Sequence, residues 1–166
     1  MNVMNTDTFD SAADPQVIKL AILAIGGQGG GVVTDWMVAT AERNGWVAQA
    51  TSVPGVAQRT GATILEKAAP GDGIGDGGAV SGVLRQAAQR LILHDMETVA
   101  QSCGSVISAS LFGALAGSGA LPFPRESYEE TIRESGKGVA ASLRAFAAGY
   151  DIAQGPGVET VAEASA

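Results

Sequence analysis

The spacing of apolar positions changes early in the chain. Ile18, Leu20, Ala21, Ile22, Leu23, Ala24 and Ile25 form a nearly continuous apolar run, the pattern of a strand covered on both faces in an α/β sheet. From Val32 onward Val33, Trp36, Met37 and Thr40 or Ala41 recur at three- and four-residue spacing. That period predicts an amphipathic helix over Val32–Arg43, stopped by Asn44-Gly45 as a left-handed cap. Trp46–Val53, WVAQATSV, is rich in β-compatible residues and predicts a second parallel strand ending at Pro54-Gly55. Strand, helix and strand in this order, with a right-handed crossover, predict a three-layer Rossmann-like α/β domain. Its parallel sheet, reduced in strand number, carries helices on both faces.

Further along, Ala62–Leu65 predicts a short third strand. Lys67–Ser81, KAAPGDGIGDGGAVS, is loop by its glycines and proline. Val80–Ser102 has a helical pattern with Val83, Leu84, Ala87, Ala88, Leu91, Ile92 and Met96 along one side. Thr98–Pro124 carries no charge, which raises the question of a membrane span. Its serines and glycines argue instead for a buried helix. Gly113 and Gly117 share one face of that helix and permit close approach of another backbone, either in the core or at a subunit contact. After Pro122 and Pro124, Glu126–Glu134 predicts a short charged helix. Val139–Tyr150 predicts another, with Leu143, Phe146, Ala147 and Tyr150 inward. Residues 1–16 and 152–166 read as flexible tails around one domain spanning 17–151.

The junction between the first strand and helix concentrates the candidate chemistry. Gly26, Gly27, Gly29, Gly30 and Gly31, interrupted only by Gln28, permit positive φ and let backbone N–H groups approach a partner. A helix N-terminus here favours an anion. A dinucleotide fingerprint starting at Gly27-Gln28-Gly29 would place its third small residue on Val32. Ala50, Thr51 and Ser52 stand where the acidic ribose ligand belongs, and no P-loop lysine is present. Ligand cradle and tight packing site both remain open. A second candidate, Gln58, Arg59 and Gly61, lies in a loop after a predicted parallel strand, on the edge where α/β sheets bind ligands. Arg59 suits a phosphate or a partner's carboxylate, with a surface salt bridge as the plain alternative.

Composition narrows the partners. A net charge of −7 over 166 residues, with no basic patch, argues against nucleic acid and anionic membranes. The chain is expected to be cytoplasmic. One cysteine, Cys103, excludes an internal disulfide and cannot by itself hold an iron–sulfur cluster or structural zinc. The GDG sequences suggest a thiamine diphosphate site, but no asparagine follows Asn44 to complete its magnesium shell. His94 beside Asp95 lacks a nucleophile or metal partner and reads as a solvated pair. No catalytic or metal-binding residue is assigned.

Three stretches in order carry a resemblance: GGQGGGVVTDW, then TSVPGVAQRTGAT, then GSVISASLFGALAGSGALPFPRESYEETIRESGKGVAASLRAFAAGYD. Together they resemble the gamma-type domain of the 2-oxoacid:ferredoxin oxidoreductases, and within that family the beta subunits of the indolepyruvate ferredoxin oxidoreductases. The resemblance covers most of Ile18–Asp151. It implies an accessory subunit of an enzyme that decarboxylates an arylpyruvate to an acyl-CoA while reducing ferredoxin. Thiamine diphosphate, Mg and 4Fe-4S clusters are then expected on a large partner subunit, which also meets ferredoxin, with coenzyme A as co-substrate. The chain departs from the family after GATI, where LEKAAP leads almost directly to GDGIGDGG. A strand, helix and strand unit is missing there, leaving an expected sheet edge without a neighbour. A stand-alone nucleotide- or phosphate-binding α/β module is the alternative.

Overall fold

A computed structural model of the chain describes residues 17–22, 29–51, 82–86, 88, 90–136, 138–156 and 158–160. Five helices dominate these residues: α1 Gly30–Arg43, α2 Met96–Ser102, α3 Ile107–Ser118, α4 Arg125–Glu134 and α5 Val139–Gln154. A further helical turn occupies 82–86. Two short strands, β1 Arg90–Leu91 and β2 Glu159–Thr160, pair antiparallel with Arg90 opposite Thr160 and Leu91 opposite Glu159.

Each helix boundary has a local cause. Gly29 enters α1 with φ 76°, in the left-handed region that favours glycine. At the other end the Asn44 side chain donates to the Thr40 carbonyl at 2.7 Å and Gly45 reverses the chain with φ 77°. Asp95 starts α2 by accepting the Thr98 amide at 3.0 Å and the Thr98 hydroxyl at 2.8 Å. Pro124 precedes the first turn of α4, and Gly119 closes α3 with φ 68°.

The core is built where α3 crosses α5. A Cβ placed on Gly113 would overlap the Phe146 carbonyl, and one on Gly149 would overlap the Ser110 carbonyl. These two glycines are what permit backbone-to-backbone contact between the helices. Gly117, against Tyr150 and Ala153, extends the same seam. Around it Phe112, Tyr128 and Phe146 are fully buried. Phe112 lies 5.1 Å from the Tyr128 ring, 6.0 Å from Phe146 and 5.3 Å from Trp36 of α1. Between α1 and α4 the buried hydroxyls of Thr40 and Thr131 meet at 2.9 Å. At the C-terminal ends of α3 and α5, Arg90 donates to the carbonyls of Ser118 and, at 2.9 Å, Ala153.

The described residues overturn the three-layer parallel α/β fold. They form a helical assembly, and their one strand pairing is the antiparallel β1–β2 ladder. Residues 18–22 of the expected first strand and 46–51 of the second enter no ladder. Residues 23–25 and 52–53 lie outside the described set. An apolar run becomes a central strand only when neighbours satisfy its backbone on both sides. No such neighbour stands among the described residues, and Leu20, Ile22 and Val47 are exposed. Helix α1 therefore does not cross between parallel strands. It packs on α4 and α3 instead.

The expected helix over Val80–Ser102 is also corrected. It is a helical turn at 82–86, then β1, then α2. Asp95 as an N-cap starts a new helix, and Arg90 is drawn into the ladder with β2. Val83 and Leu84, expected inward, are exposed. The charge-free helix α3 is core, and Gly113 and Gly117 serve packing within the chain. Among the described residues no single helix is long and apolar enough to cross a membrane. The expected third strand Ala62–Leu65 and the loop Lys67–Ser81 lie outside the described residues.

Candidate functional site

Of the glycine turn, Gly29 and Gly30 are described; Gly26, Gly27 and Gln28 lie outside the described residues, as do Gln58, Arg59 and Gly61. The site that can be built therefore begins at Gly29. As N-cap of α1 it offers no side chain to the first amides of the helix, and no acidic residue stands in that first turn. The first amides of any helix lack acceptors within it and carry the positive end of its dipole.

A second helix end meets this one. Ser108 is the second residue of α3, whose N-cap Val106 likewise provides no side-chain bond and whose first turn also lacks an acid. A Cβ built on Gly29 would stand 3.2 Å from the Ser108 hydroxyl and 3.9 Å from the Ser108 amide nitrogen. Ser108 is 1% exposed, and among the described residues its Oγ has no hydrogen-bond partner. The contrast with Ser110, two residues on, explains why. Ser110 finds the carbonyls of Met96 at 2.7 Å and Ile107 at 2.9 Å, whereas Ser108 sits too close to the helix start to have an intrahelical carbonyl behind it.

Gly30 is half-buried and Gly31 exposed, so the junction reaches solvent along α1. Its chemistry is that of hydrogen-bond donors with positive helix ends. Among the described residues it contains no general base and no nucleophile activated by one.

Asp95, Arg125, Glu129, Arg43 and Cys103 have structural partners. Asp95 caps α2, and the Thr98 amide, followed by the Thr98 hydroxyl, holds its carboxyl below the usual range. His94 beside it is exposed. Arg125 bonds Glu129 at 2.8 Å and stacks 4.4 Å from the centre of the Tyr150 ring. Glu129 also pairs with Arg133 at 2.8 Å, and the bond from Arg125 is the main cause of its lowered pKa. Arg43 ties the last turn of α1 to Glu130 and Glu134 on α4. Cys103 caps α2 and gives its carbonyl to Arg144 at 3.0 Å. Among the described residues no three His, Cys, Asp or Glu side chains gather as a metal site would require.

Ser108 was not legible as a site residue, because it is one of several serines in an uncharged helix. No family model matches the chain, and neither curated proteins nor solved structures yield a match.

Proposed function

We propose that the chain is an accessory subunit of a thiamine-dependent 2-oxoacid:ferredoxin oxidoreductase acting on an arylpyruvate such as indolepyruvate. The observation that carries the reading is that two of its three characteristic stretches, distant in sequence, pack as one unit. GGQGGGVVTDW supplies Gly29 and Trp36. The stretch from Gly104 to Asp151 supplies Ser108 against Gly29 and Phe112 against Trp36, with Tyr128 and Phe146 packed on Phe112. Exposed Val17, Leu20, Ile22 and Val47, at 74%, 46%, 37% and 101% accessibility, add apolar surface suited to a larger chain.

In this reading thiamine diphosphate, Mg and 4Fe-4S clusters belong to the large subunit. That subunit also passes electrons to ferredoxin and receives coenzyme A, in the cytoplasm. The present chain contributes a shaped surface, and Arg59 braces coenzyme A or the large subunit. A second reading, a phosphate-binding module without catalysis, is favoured by the Gly29–Ser108 junction.

Co-expression with a large thiamine- and cluster-carrying subunit separates the two. Stable co-purification with an iron–sulfur chromophore and arylpyruvate-dependent ferredoxin reduction is the expected result. A chain that remains alone in the presence of that subunit overturns the subunit reading. In the reconstituted complex, Arg59→Ala is expected to weaken assembly or raise the KM for coenzyme A about tenfold, equivalent to about 1.4 kcal/mol.

A further inference from the structure

Two helix N-termini rarely abut without something negative between them, since their dipoles repel and their first amides compete for acceptors. Here α1 and α3 do so at Gly29 and Ser108, and neither first turn contains an acid or a capping side chain. Among the described residues, the Ser108 hydroxyl is the nearest neighbour of a Cβ built on Gly29, at 3.2 Å. Ser108 is 1% exposed, and its hydroxyl has no hydrogen-bond partner among the described residues. A buried hydroxyl left unpaired is costly, and its proton needs an acceptor.

We infer that this junction binds the phosphate group of a small phosphorylated ligand, held by the Ser108 hydroxyl and the Gly30 and Gly31 amides. Phosphate fits for three physical reasons. Its charge is opposite to both helix ends. Its several oxygens can accept from amides and hydroxyl together. The glycines at 29, 30 and 31 let an oxygen approach the backbone where a Cβ would stand in the way. Gly31 opens this position to solvent, and a Cβ there would meet nothing within 4 Å. The site goes beyond the subunit assignment and does not rest on it, because the donors all belong to this chain.

The test is a titration of the full chain, in isolation, with inorganic phosphate, pyrophosphate and ADP. Acetate and chloride at matched ionic strength serve as controls. The readouts are thermal stability and the backbone amide signals of Gly29, Gly30, Gly31 and Ser108. Phosphate-bearing probes are expected to raise the unfolding temperature and to shift these four amides, while acetate and chloride do not. Tightest binding by inorganic phosphate identifies the free ion as the ligand, and tighter binding by pyrophosphate or ADP identifies a diphosphate-bearing molecule. Either result supports the site. Ser108→Ala removes only a group without a partner, so the variant is expected to fold as well as the parent and to bind about tenfold more weakly.

Equal responses to acetate or chloride overturn the inference, as does unchanged affinity in Ser108→Ala. Amide shifts confined to other residues also overturn it, and this readout on the parent chain stands even if the variant does not fold. Failure here leaves the co-purification test untouched, and a chain that binds phosphate but no large subunit sinks only the subunit assignment.

Discussion

The α-carbon of Gly113 lies directly against the backbone of Phe146, so that any Cβ at position 113 would overlap the Phe146 carbonyl. The reciprocal contact is made by Gly149 against Ser110. These contacts set how closely α3 and α5 approach, and with it the positions of Phe112 and Phe146 in the core. Gly113→Ala and Gly149→Ala are each expected to push the helices apart and cost about 3 kcal/mol or more, at the upper end of overpacking penalties. Gly31→Ala, in open space within α1, should instead gain up to about 1 kcal/mol from helix propensity. Urea unfolding of the three variants checks the contrast. Equal effects at positions 31 and 113 would refute the close crossing.

Thr40 and Thr131 stand 91 positions apart and share a buried hydroxyl contact of 2.9 Å. Each also reaches a carbonyl one turn back, Thr40 that of Trp36 at 2.8 Å and Thr131 that of Ser127 at 3.0 Å. Replacing one threonine by valine preserves shape and removes the shared hydrogen bond, while the remaining hydroxyl keeps its carbonyl one turn back, at a cost of about 1 kcal/mol. Once one threonine is gone, the second replacement has no shared bond left to lose. Thr40→Val with Thr131→Val is therefore expected to cost less than the sum of the single variants, as a double-mutant cycle measures. Strict additivity would mean that the α1–α4 contact does not depend on this pair.

Arg90 joins the C-terminal ends of α3 and α5 by donating to the carbonyls of Ser118 and Ala153. Both carbonyls lie where helix dipoles are negative, and a planar guanidinium can serve two acceptors at once. Arg90→Ala should destabilise the chain by about 1 kcal/mol and accelerate amide exchange in the last turns of α3 and α5. Arg90→Lys, which keeps the charge but loses the fork, should recover only part of that loss. Full recovery by lysine would reduce the role of Arg90 to charge alone.

The parts of the fold legible in the sequence are those whose signal is local. Helix α1 shows its period in Val33, Met37 and Thr40 and its end in Asn44-Gly45. Helix α5 shows Phe146 and Tyr150 on one side, although it runs on to Gln154, beyond the predicted Tyr150. The sheet was misread because an apolar run such as Ile18–Ile25 specifies burial, whereas a strand needs neighbours that a local pattern does not encode. Val80–Ser102 was misread because the same spacing fits a turn, a strand and a new helix. The decisive residue there is Asp95, whose carboxylate faces the Thr98 amide. Of the candidate site, the glycine turn was visible as Gly29 and Gly30. Ser108 was not, since its distinction from Ser110 lies in which carbonyls surround it.

Tyr128 provides a pH-dependent test of the core. Its residue is 1% exposed, packed among Phe112, Phe123 and Phe146, and burial pushes its phenol from 10.0 up to about 12. Below pH 10 the phenol is protonated in folded and unfolded chains alike, and its contribution to stability is fully present. As pH rises from 10 toward 12 the unfolded chain loses the proton while the folded chain keeps it. Ionisation then favours unfolding. A shift of about two units at about 1.36 kcal/mol each corresponds to a loss of about 3 kcal/mol across that window. Tyr128→Phe has no proton to lose, so its stability should fall less steeply over the same range. Urea unfolding of both proteins below pH 10 and near pH 12 measures the difference, with phenolate absorbance following the ionisation directly. Parallel stability curves for the two proteins, or a Tyr128 phenolate forming in the folded chain near pH 10, would place that ring in water instead of between α3, α4 and α5.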